Sequence, residues 1–245
     1  MISFFRNIRK TLLNSGNIGK YLKYALGEIF LVMLGILLAL QVNNWNETRK
    51  LKQKEAIYLQ GLKEDFLISQ KALDRVIRKT DRVAETVSYL VNIIRVNQSE
   101  MGKVNLDSLI DSSAGYTIFM GSEGVINDIL GSGQLSLINN QYLRKEIASW
   151  EANLKMIRGI EKLSEGTVGA YIGSMRKYMD FTNYEYDKPA FIASKKEEFL
   201  NDIEFRNYLS DIIGLSDNLN ELYREKKQHI DTLIQVIDSE LKSKE

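Results

Sequence analysis

The apolar residues of the chain form one continuous run near the N-terminus, followed by three segments with helical periodicity. From Ile29 to Leu40 the run contains no polar side chain, and extended to Tyr24 and Val42 it covers 19 residues. An α-helix of this length is about 28 Å long, close to the hydrocarbon thickness of a bilayer. The run therefore predicts an uncleaved transmembrane anchor helix, which we place at residues 20–46.

The residues on either side of the run are those that hold a helix at a membrane surface. Basic side chains are attracted to anionic lipids, and Tyr and Trp rings favour the headgroup region. These flanks disfavour a buried core helix, and the sequence after Leu40 has no small-x-small motif for removal of a signal peptide. Residues 1–19 are predicted to form a basic amphipathic leader at the interface, with a disordered leader as the alternative. The predicted interface anchors are Arg6, Arg9, Lys10, Lys20, Tyr21, Lys23, Tyr24 and Trp45.

The three later segments repeat their apolar residues every three or four positions, the spacing of packed helices. They run from Leu59 to Ile94, from Leu143 to Tyr178 and from Phe205 to Ile237, and a few polar residues hold register positions within them. We predict long helices at about 47–96, 140–180 and 198–243 in a helical-bundle domain that covers 47–245. The fold class is all-α: an N-terminal transmembrane helix, then an elongated antiparallel bundle of three long helices plus short connecting helices.

The connections between the long helices have their own signals. Short helices are predicted over Leu106 to Met120 and over Ser122 to Leu130, with Ser122 as an N-cap. Asn139 or Asn140 is expected to cap the second long helix. Since residues 43–53 contain neither Pro nor Gly, the first long helix is expected to continue directly from the anchor. The single proline, Pro189, falls in the connection before the third long helix.

The composition disfavours most enzyme chemistry. The chain has no cysteine and one histidine, which removes thiolate and two-histidine metal sites as well as cysteine nucleophiles. No nucleotide-binding, zinc-helix or calcium-loop motif is present. We expect a protein that is not an enzyme, with no catalytic residue, metal or cofactor. The net charge of +1 and the lack of a basic aromatic platform argue against a nucleic-acid partner.

The charge distribution gives a weak indication of orientation. Residues 1–27 carry five basic residues and no acidic one, but basic residues also follow the run closely. We favour an N-terminus in the cytoplasm and a C-terminal domain in the periplasm, with the anchor as a single pass through the inner (plasma) membrane.

Glu28 is a carboxylate inside the predicted span, where such a residue is costly and therefore a candidate for function. It lies near a line of small residues that permits close approach of a second helix. Three interpretations remain open: contact with headgroups or a packed neighbour, a proton or ion relay in an oligomer, and binding of a partner's membrane helix. The predicted packing face consists of Gly27, Glu28, Leu31, Gly35 and Ala39.

Several blocks of the sequence resemble one known family. The blocks are Phe4-Phe5-Arg6, Lys20-Tyr21-Leu22, Tyr24-Ala25, Gly27-Glu28-Ile29, Gly35-Ile36, Ala39-Leu40-Gln41 and Asn43 to Glu47, then Gly131 with Leu135 to Asn140, Leu143-Arg144 and Ile147, then Phe199 to Asp202 with Phe205 to Leu209. Together they resemble the single-pass membrane proteins, common in Bacteroidota, that are classed as domain of unknown function 6090. The resemblance implies an inner-membrane helical protein and supplies no activity and no catalytic residue.

These observations favour a protein that works by binding. The leading expectation is a membrane-anchored scaffold, adaptor or accessory subunit whose partners are the lipid bilayer and a second copy or another membrane protein. The alternatives are an extracytoplasmic bundle that senses a small-molecule ligand and signals through a partner, and a subunit of an ion-conducting or energised oligomer that uses Glu28.

Overall fold

The computed structural model describes residues 18–95, 103–180, 190–191 and 195–243, and within this part the chain is almost entirely helical. It divides into two compact units, residues 1–54 and 55–245. The described elements are α1 (Ile18–Arg95), α2 (Leu106–Ser113), α3 (Gly124–Gly131), a 3₁₀ turn (Gln134–Leu137), α4 (Gln141–Ala148), α5 (Trp150–Met175), β1 (Met179–Asp180), β2 (Ala190–Phe191), α6 (Lys196–Asn201) and α7 (Ile203–Lys242).

The described part of the first unit consists of the beginning of α1. Its apolar side chains between Leu22 and Val42 are exposed, among them Ile29 at 65% and Val42 at 63%. Within the described residues, α1 is the one helix that is long and apolar enough to cross a membrane. The same helix continues without a break to Arg95.

The core of the second unit consists of two clusters of buried side chains. In the first cluster, residues 59–73 of α1 pack with residues 143–157 of α4 and α5 and with residues 219–237 of α7. In the second, residues 83–94 of α1 pack with residues 168–175 of α5 and 205–212 of α7. The helices meet along these faces because their apolar side chains recur at helical spacing.

Polar pairs between α1 and α7 show the relative direction of these two long helices. Along α1 and α7, Lys63 pairs with Asp238, Gln70 with Asp231, Asp74 with Lys227 and Asp81 with Arg224. The partner numbers fall as the α1 numbers rise, so these two helices run in opposite directions. The core clusters show that α5 also opposes α7 and therefore runs in the same direction as α1.

The expected antiparallel bundle of three long helices is thus not confirmed, because the first two long helices, α1 and α5, run in the same direction, whereas an up-down-up bundle would make them antiparallel. Parallel helices need a connection that returns along their length. Residues 96–140 supply it, and of these the structure describes 103–140. Heptad spacing could not have revealed this, since it is satisfied by either direction of packing.

The second and third predicted helices are each divided by one residue. Ser149 separates α4 from α5, and its hydroxyl donates to the carbonyl of Lys145, a bond that competes with the helical ladder. Asp202 separates α6 from α7 and accepts the backbone N–H groups of Glu204 and Phe205, so that it caps α7. Strands β1 and β2 form an antiparallel pair between α5 and α6. Pro189 lies outside the described residues.

The connection contains an extended segment, residues 114–123, where the sequence predicted helix up to Met120. Helix α2 ends at Ser113, and burial then alternates: Thr117 and Phe119 are buried, while Tyr116, Ile118 and Met120 are exposed. A Cβ atom on Gly115 would lie 2.7 Å from Cγ2 of Val83 on α1, so only glycine permits this close approach. The prediction was wrong here because packing against α1 outweighs local helix propensity.

Of the two predictions of helix caps, one is confirmed and the other is wrong. Asn140 caps α4 by accepting the N–H of Leu143, as one of the two expected residues. Ser122 does not cap α3, whose N-cap residue is Glu123, and the Glu123 side chain makes no capping bond to the start of that helix. The hydroxyl of Ser122 instead donates to Asp65 of α1.

Candidate functional site

The predicted packing face lies on α1 in the first unit. Glu28 is half-buried, while Gly27, Leu31, Gly35 and Ala39 are exposed. A Cβ atom added at Gly27 or Gly35 would meet no atom within 4 Å outside the helix's own nearby backbone. The helix therefore brings the five residues to one side and leaves the glycine positions open to an approaching surface.

The predicted interface anchors are placed only in part. Lys23, Tyr24 and Trp45 are exposed on α1, and Lys20 and Tyr21 belong to the same helix. Arg6, Arg9 and Lys10 lie outside the described residues. The structure contains no lipid, so the membrane contacts of these residues stay predictions.

In the second unit, carboxylates of α1 hold the connection in place. Asp65 accepts the hydroxyl of Ser122 at 2.6 Å and the backbone N–H of Val125 at 2.8 Å. Glu55, only 1% exposed, accepts the backbone N–H of Asn139 at 2.8 Å and its side-chain amide at 2.7 Å. These bonds satisfy N–H groups at the start of α3 and just before α4, which would otherwise lack partners.

A second buried polar group lies where α1, α5, α7 and the extended segment meet. Oε1 of Glu161 accepts the backbone N–H of Phe119 and the hydroxyl of Tyr223, each at 2.7 Å. The hydroxyl of Tyr223 lies 3.2 Å from that of Thr117, which lies 2.9 Å from the hydroxyl of Thr80. Burial raises the pKa of Glu161 above its ordinary value, although the two bonds it accepts oppose that change.

A third group contains a buried lysine on an indole ring. Lys226 of α7 is 5% exposed, and its Nζ lies 3.6 Å from the centre of the Trp150 ring. Within the described part of the chain, this Nζ has no hydrogen-bond partner. Burial lowers the pKa of Lys226 to about 8, although the carboxylates of Glu146 and Glu123 act in the opposite direction. An ammonium over a Trp face is stabilised by the ring quadrupole, which partly replaces its lost hydration.

Lys226 also lines a surface groove between α7 and the α4–α5 junction. Nε2 of His229 lies 3.0 Å from Oε2 of Glu146 at one side of the groove. Burial lowers the pKa of His229, the charge of Lys226 lowers it further, and Glu146 opposes both. We call this the Lys226 groove; its volume is about 580 Å³ and its lining consists of Lys145, Glu146, Ser149, Asn153, Met156, Ile157, Leu222, Glu225, Lys226 and His229.

None of the predicted site residues belongs to these three buried groups. Yet Glu161 and Lys226 stand at positions of the heptad registers where an apolar residue is expected. A charged residue at such a position was the available signal, because charged groups are buried only with compensating partners. The partners, Tyr223 and Trp150, are on other helices and could be identified only from the fold.

Across the described residues, these features define a predominantly helical protein with one helix that could span a membrane. A sequence model of a family of unknown function, DUF6090, matches residues 28–158, and the chain belongs to this family. The match contains the block after Gly27 and the block around Leu135, and it leaves out the block around Phe205. No curated protein and no solved structure matches the chain. Among the described residues, no group of His, Asp and Glu side chains could hold a metal ion.

Proposed function

We propose that this protein is a membrane-anchored scaffold, adaptor or accessory subunit that acts by binding other proteins within the inner membrane. The observation that carries the proposal is the exposed apolar helix of the first unit. Its side chains from Leu22 to Val42 form a surface far too apolar to remain in water, so lipid or protein must cover it. The apolar stretch of this helix, from Tyr24 to Val42, is about 28 Å long and matches the hydrocarbon thickness of a bilayer, which favours lipid as the main cover.

The face Gly27, Glu28, Leu31, Gly35 and Ala39 is the proposed contact with a second copy of the chain. Small residues four apart let two helix backbones approach, and close packing replaces the hydrophobic effect as the driving force within lipid. A carboxylate on the same face favours assembly, because a neighbouring helix can offer it a hydrogen-bond donor. The proposed orientation has the N-terminus in the cytoplasm and residues 47–245 in the periplasm.

Disulfide crosslinking of single-cysteine variants in native membranes tests the proposal. The chain contains no cysteine, so each variant reports on one position without background. Leu31→Cys lies on the proposed face, and Met33→Cys lies about 200° around the helix from it. We expect oxidation to give a disulfide-linked dimer with Leu31→Cys and little with Met33→Cys.

A second substitution examines the role of the small residues. Adding Gly35→Leu to the Leu31→Cys variant should reduce the dimer several-fold, since a larger side chain separates the two backbones. Equal crosslinking at positions 31 and 33, or none at either, would refute assembly through this face. Release of the protein from membranes by alkaline carbonate would refute the membrane anchor itself.

A second candidate function, ligand sensing by the helical unit, is favoured by the Lys226 groove. Its volume suits a small organic molecule, and its lining combines apolar side chains with a few polar groups, as ligand sites do. Native mass spectrometry of the purified protein tests this function. A co-purified small molecule, lost when Leu222→Trp fills the groove, would support sensing, and an unliganded protein under all growth conditions would oppose it.

A further inference from the structure

We propose that the outer face of α5 is a second contact between two copies of the chain, along which their α5 helices pack in parallel. This inference deepens the proposed function and rests on it, because the membrane anchor holds the second copy nearby. We call the surface the α5 seam; it consists of Met156, Gly159, Leu163, Gly166, Ala170 and Gly173.

The first argument is the pattern of residues along α5. The side of the helix that faces the core has its own register, from Leu154 to Met175. The α5 seam lies on the other side, at alternating spacings of three and four residues over about 26 Å, and all six of its residues are exposed. Met156 is 68% exposed and Leu163 is 56% exposed. A second apolar register on the outer side of a helix is typical of a surface that a partner helix covers.

The second argument is the contrast with α7, which packs on the same core. Its outer side has exposed positions at the same spacing, and apart from one glycine they are polar or charged: Asp211, Gly214, Asn218, Glu221, Glu225 and Gln228. An outer helix face that meets water has this composition. The apolar character of the α5 seam is therefore not a requirement of the fold.

The third argument is the glycines, which recur every seven residues at Gly159, Gly166 and Gly173. A Cβ atom added at any of them would meet no atom within 4 Å outside the helix's own nearby backbone. Glycine in a helix interior is less favourable than alanine, so the packing of the described residues gives no reason for glycine at these positions.

A second copy of the same face gives such a reason. In a parallel pair, Leu163 of one copy would enter the hole between Gly159 and Gly166 of the other, and the glycines would let the two backbones approach. The face thus carries both the projecting side chains and the holes that receive them. A surface that is complementary to itself is what a two-fold symmetric dimer requires.

The size of the seam also favours a second copy over a freely diffusing partner. Two large apolar side chains cover much less than the roughly 800 Å² per partner that stable interfaces bury. Two copies anchored in one membrane meet at a high effective concentration, and a short seam is then sufficient.

The charges beside the seam favour the parallel direction. Lys155 and Lys162 are exposed along one flank of the seam. In a parallel coiled coil they would lie beside Ile160 and Thr167 of the second copy, so no like charges are opposed. Antiparallel packing would bring the same basic flank of both copies together, which is repulsive.

Disulfide crosslinking of the full-length protein in native membranes tests the proposal. Leu163→Cys lies on the seam, and Glu165→Cys is an exposed control about 200° around the helix from it. We expect oxidation to give at least about tenfold more disulfide-linked dimer with Leu163→Cys. In the parallel arrangement each residue meets its own counterpart, so Met156→Cys and Ala170→Cys should each give a dimer as well.

Gly166→Leu, added to the Leu163→Cys variant, examines the close approach of the helices. It should reduce the dimer several-fold, although the added Cβ has space within one copy and leucine is the better helix former. Circular dichroism of the purified variant should show unchanged helix content, which separates loss of contact from loss of folding.

The crosslinks on α5 and on the membrane helix are measured separately. A dimer through Leu31→Cys with none through Leu163→Cys overturns the α5 seam and leaves assembly within the membrane standing. A dimer through Leu163→Cys that Gly166→Leu abolishes supports the seam, even where Leu31→Cys gives none. Equal crosslinking of Leu163→Cys and Glu165→Cys overturns the seam, and a link at position 163 with none at 156 and 170 overturns the parallel arrangement.

Discussion

At the scale of single residues, the helical unit places three carboxylates and one ammonium in positions that are almost fully buried. Each of the three carboxylates accepts a backbone N–H group of the connection: Glu55 from Asn139, Asp65 from Val125 and Glu161 from Phe119. Hydrogen bonds to charged acceptors are stronger than neutral ones, and removing the acceptor leaves a buried donor unpaired. These side chains therefore determine where the backbone of residues 114–140 lies against α1 and α5.

Glu161 makes the stability of the fold depend on pH in a direction opposite to that of most carboxylates. Because its folded-state pKa is raised, the folded protein binds a proton that the unfolded chain has lost. Wild-type stability should fall as pH rises from about 4.5 through the folded-state pKa, and this contribution should be constant above it. Glu161→Gln keeps an oxygen for Phe119 and Tyr223 and should lack this dependence.

Urea unfolding of both proteins, followed by circular dichroism at several pH values, measures the effect. We expect the wild type to lose stability relative to Glu161→Gln as pH rises over that range. Glu165→Gln is the matched control, because Glu165 lies one turn away and is exposed. A constant difference between wild type and Glu161→Gln across the range would show that burial does not raise this pKa.

At the scale of elements, the extended segment and α3 are attached to α1 by side chains more than by backbone pairing. The hydroxyl of Ser69 accepts the backbone N–H of Ser122 at 2.9 Å, and Asp65 accepts that of Val125 at 2.8 Å. A Cβ atom on Gly121 would lie 2.9 Å from the same Ser69 hydroxyl. The segment therefore needs a glycine at position 121, because a side chain there would collide with Ser69 of α1.

Asp65→Ala should destabilise the helical unit by about 2 kcal/mol, since it removes two hydrogen bonds and leaves the N–H of Val125 buried without an acceptor. Hydrogen exchange should increase at residues 121–126 before other parts of the unit. Urea unfolding and hydrogen-exchange mass spectrometry measure the two effects. The exposed neighbour variant Glu64→Ala serves as the control, and equal losses in both variants would contradict the assigned role of Asp65.

The long helices were predictable from the sequence, while the relations between them were not. Periodic apolar residues such as Leu62, Leu154 and Leu233 follow from burial of one helix face, which is a local property. The shared direction of α1 and α5, and the extended backbone around Thr117, depend on contacts between residues far apart in the chain. For the same reason, the sequence showed Lys226 only as a charged residue at a core position and could not identify Trp150 as its partner.

At the scale of the whole molecule, the second unit has its own core and the described helix of the first unit does not. Both core clusters are formed by residues of the second unit, and the apolar side chains from Leu22 to Val42 are exposed. Stability should therefore reside in residues 55–245, independently of the helix before them.

A fragment of residues 55–245 should fold in the absence of detergent. Size-exclusion chromatography should show a monodisperse helical protein with a cooperative thermal transition. A fragment of residues 70–245, which lacks the buried side chains of Leu59, Leu62 and Phe66, should not fold, since each loss costs about 2–5 kcal/mol against a total of about 5–15. Aggregation of the longer fragment, or equal stability of both, would contradict this assignment of stability.

Helix α7 follows α1, α4 and α5 in the chain, and this order has a consequence for biosynthesis. Residues 203–242 complete both core clusters, yet they are translated after α1, α4 and α5. At roughly 5–20 residues per second, the stretch from Met175 to Lys242 takes several seconds to synthesise. During that interval the nascent chain exposes two apolar helix faces that have no third helix to cover them. Its yield in the cell should accordingly depend on holdase chaperones, which protect such faces until α7 emerges.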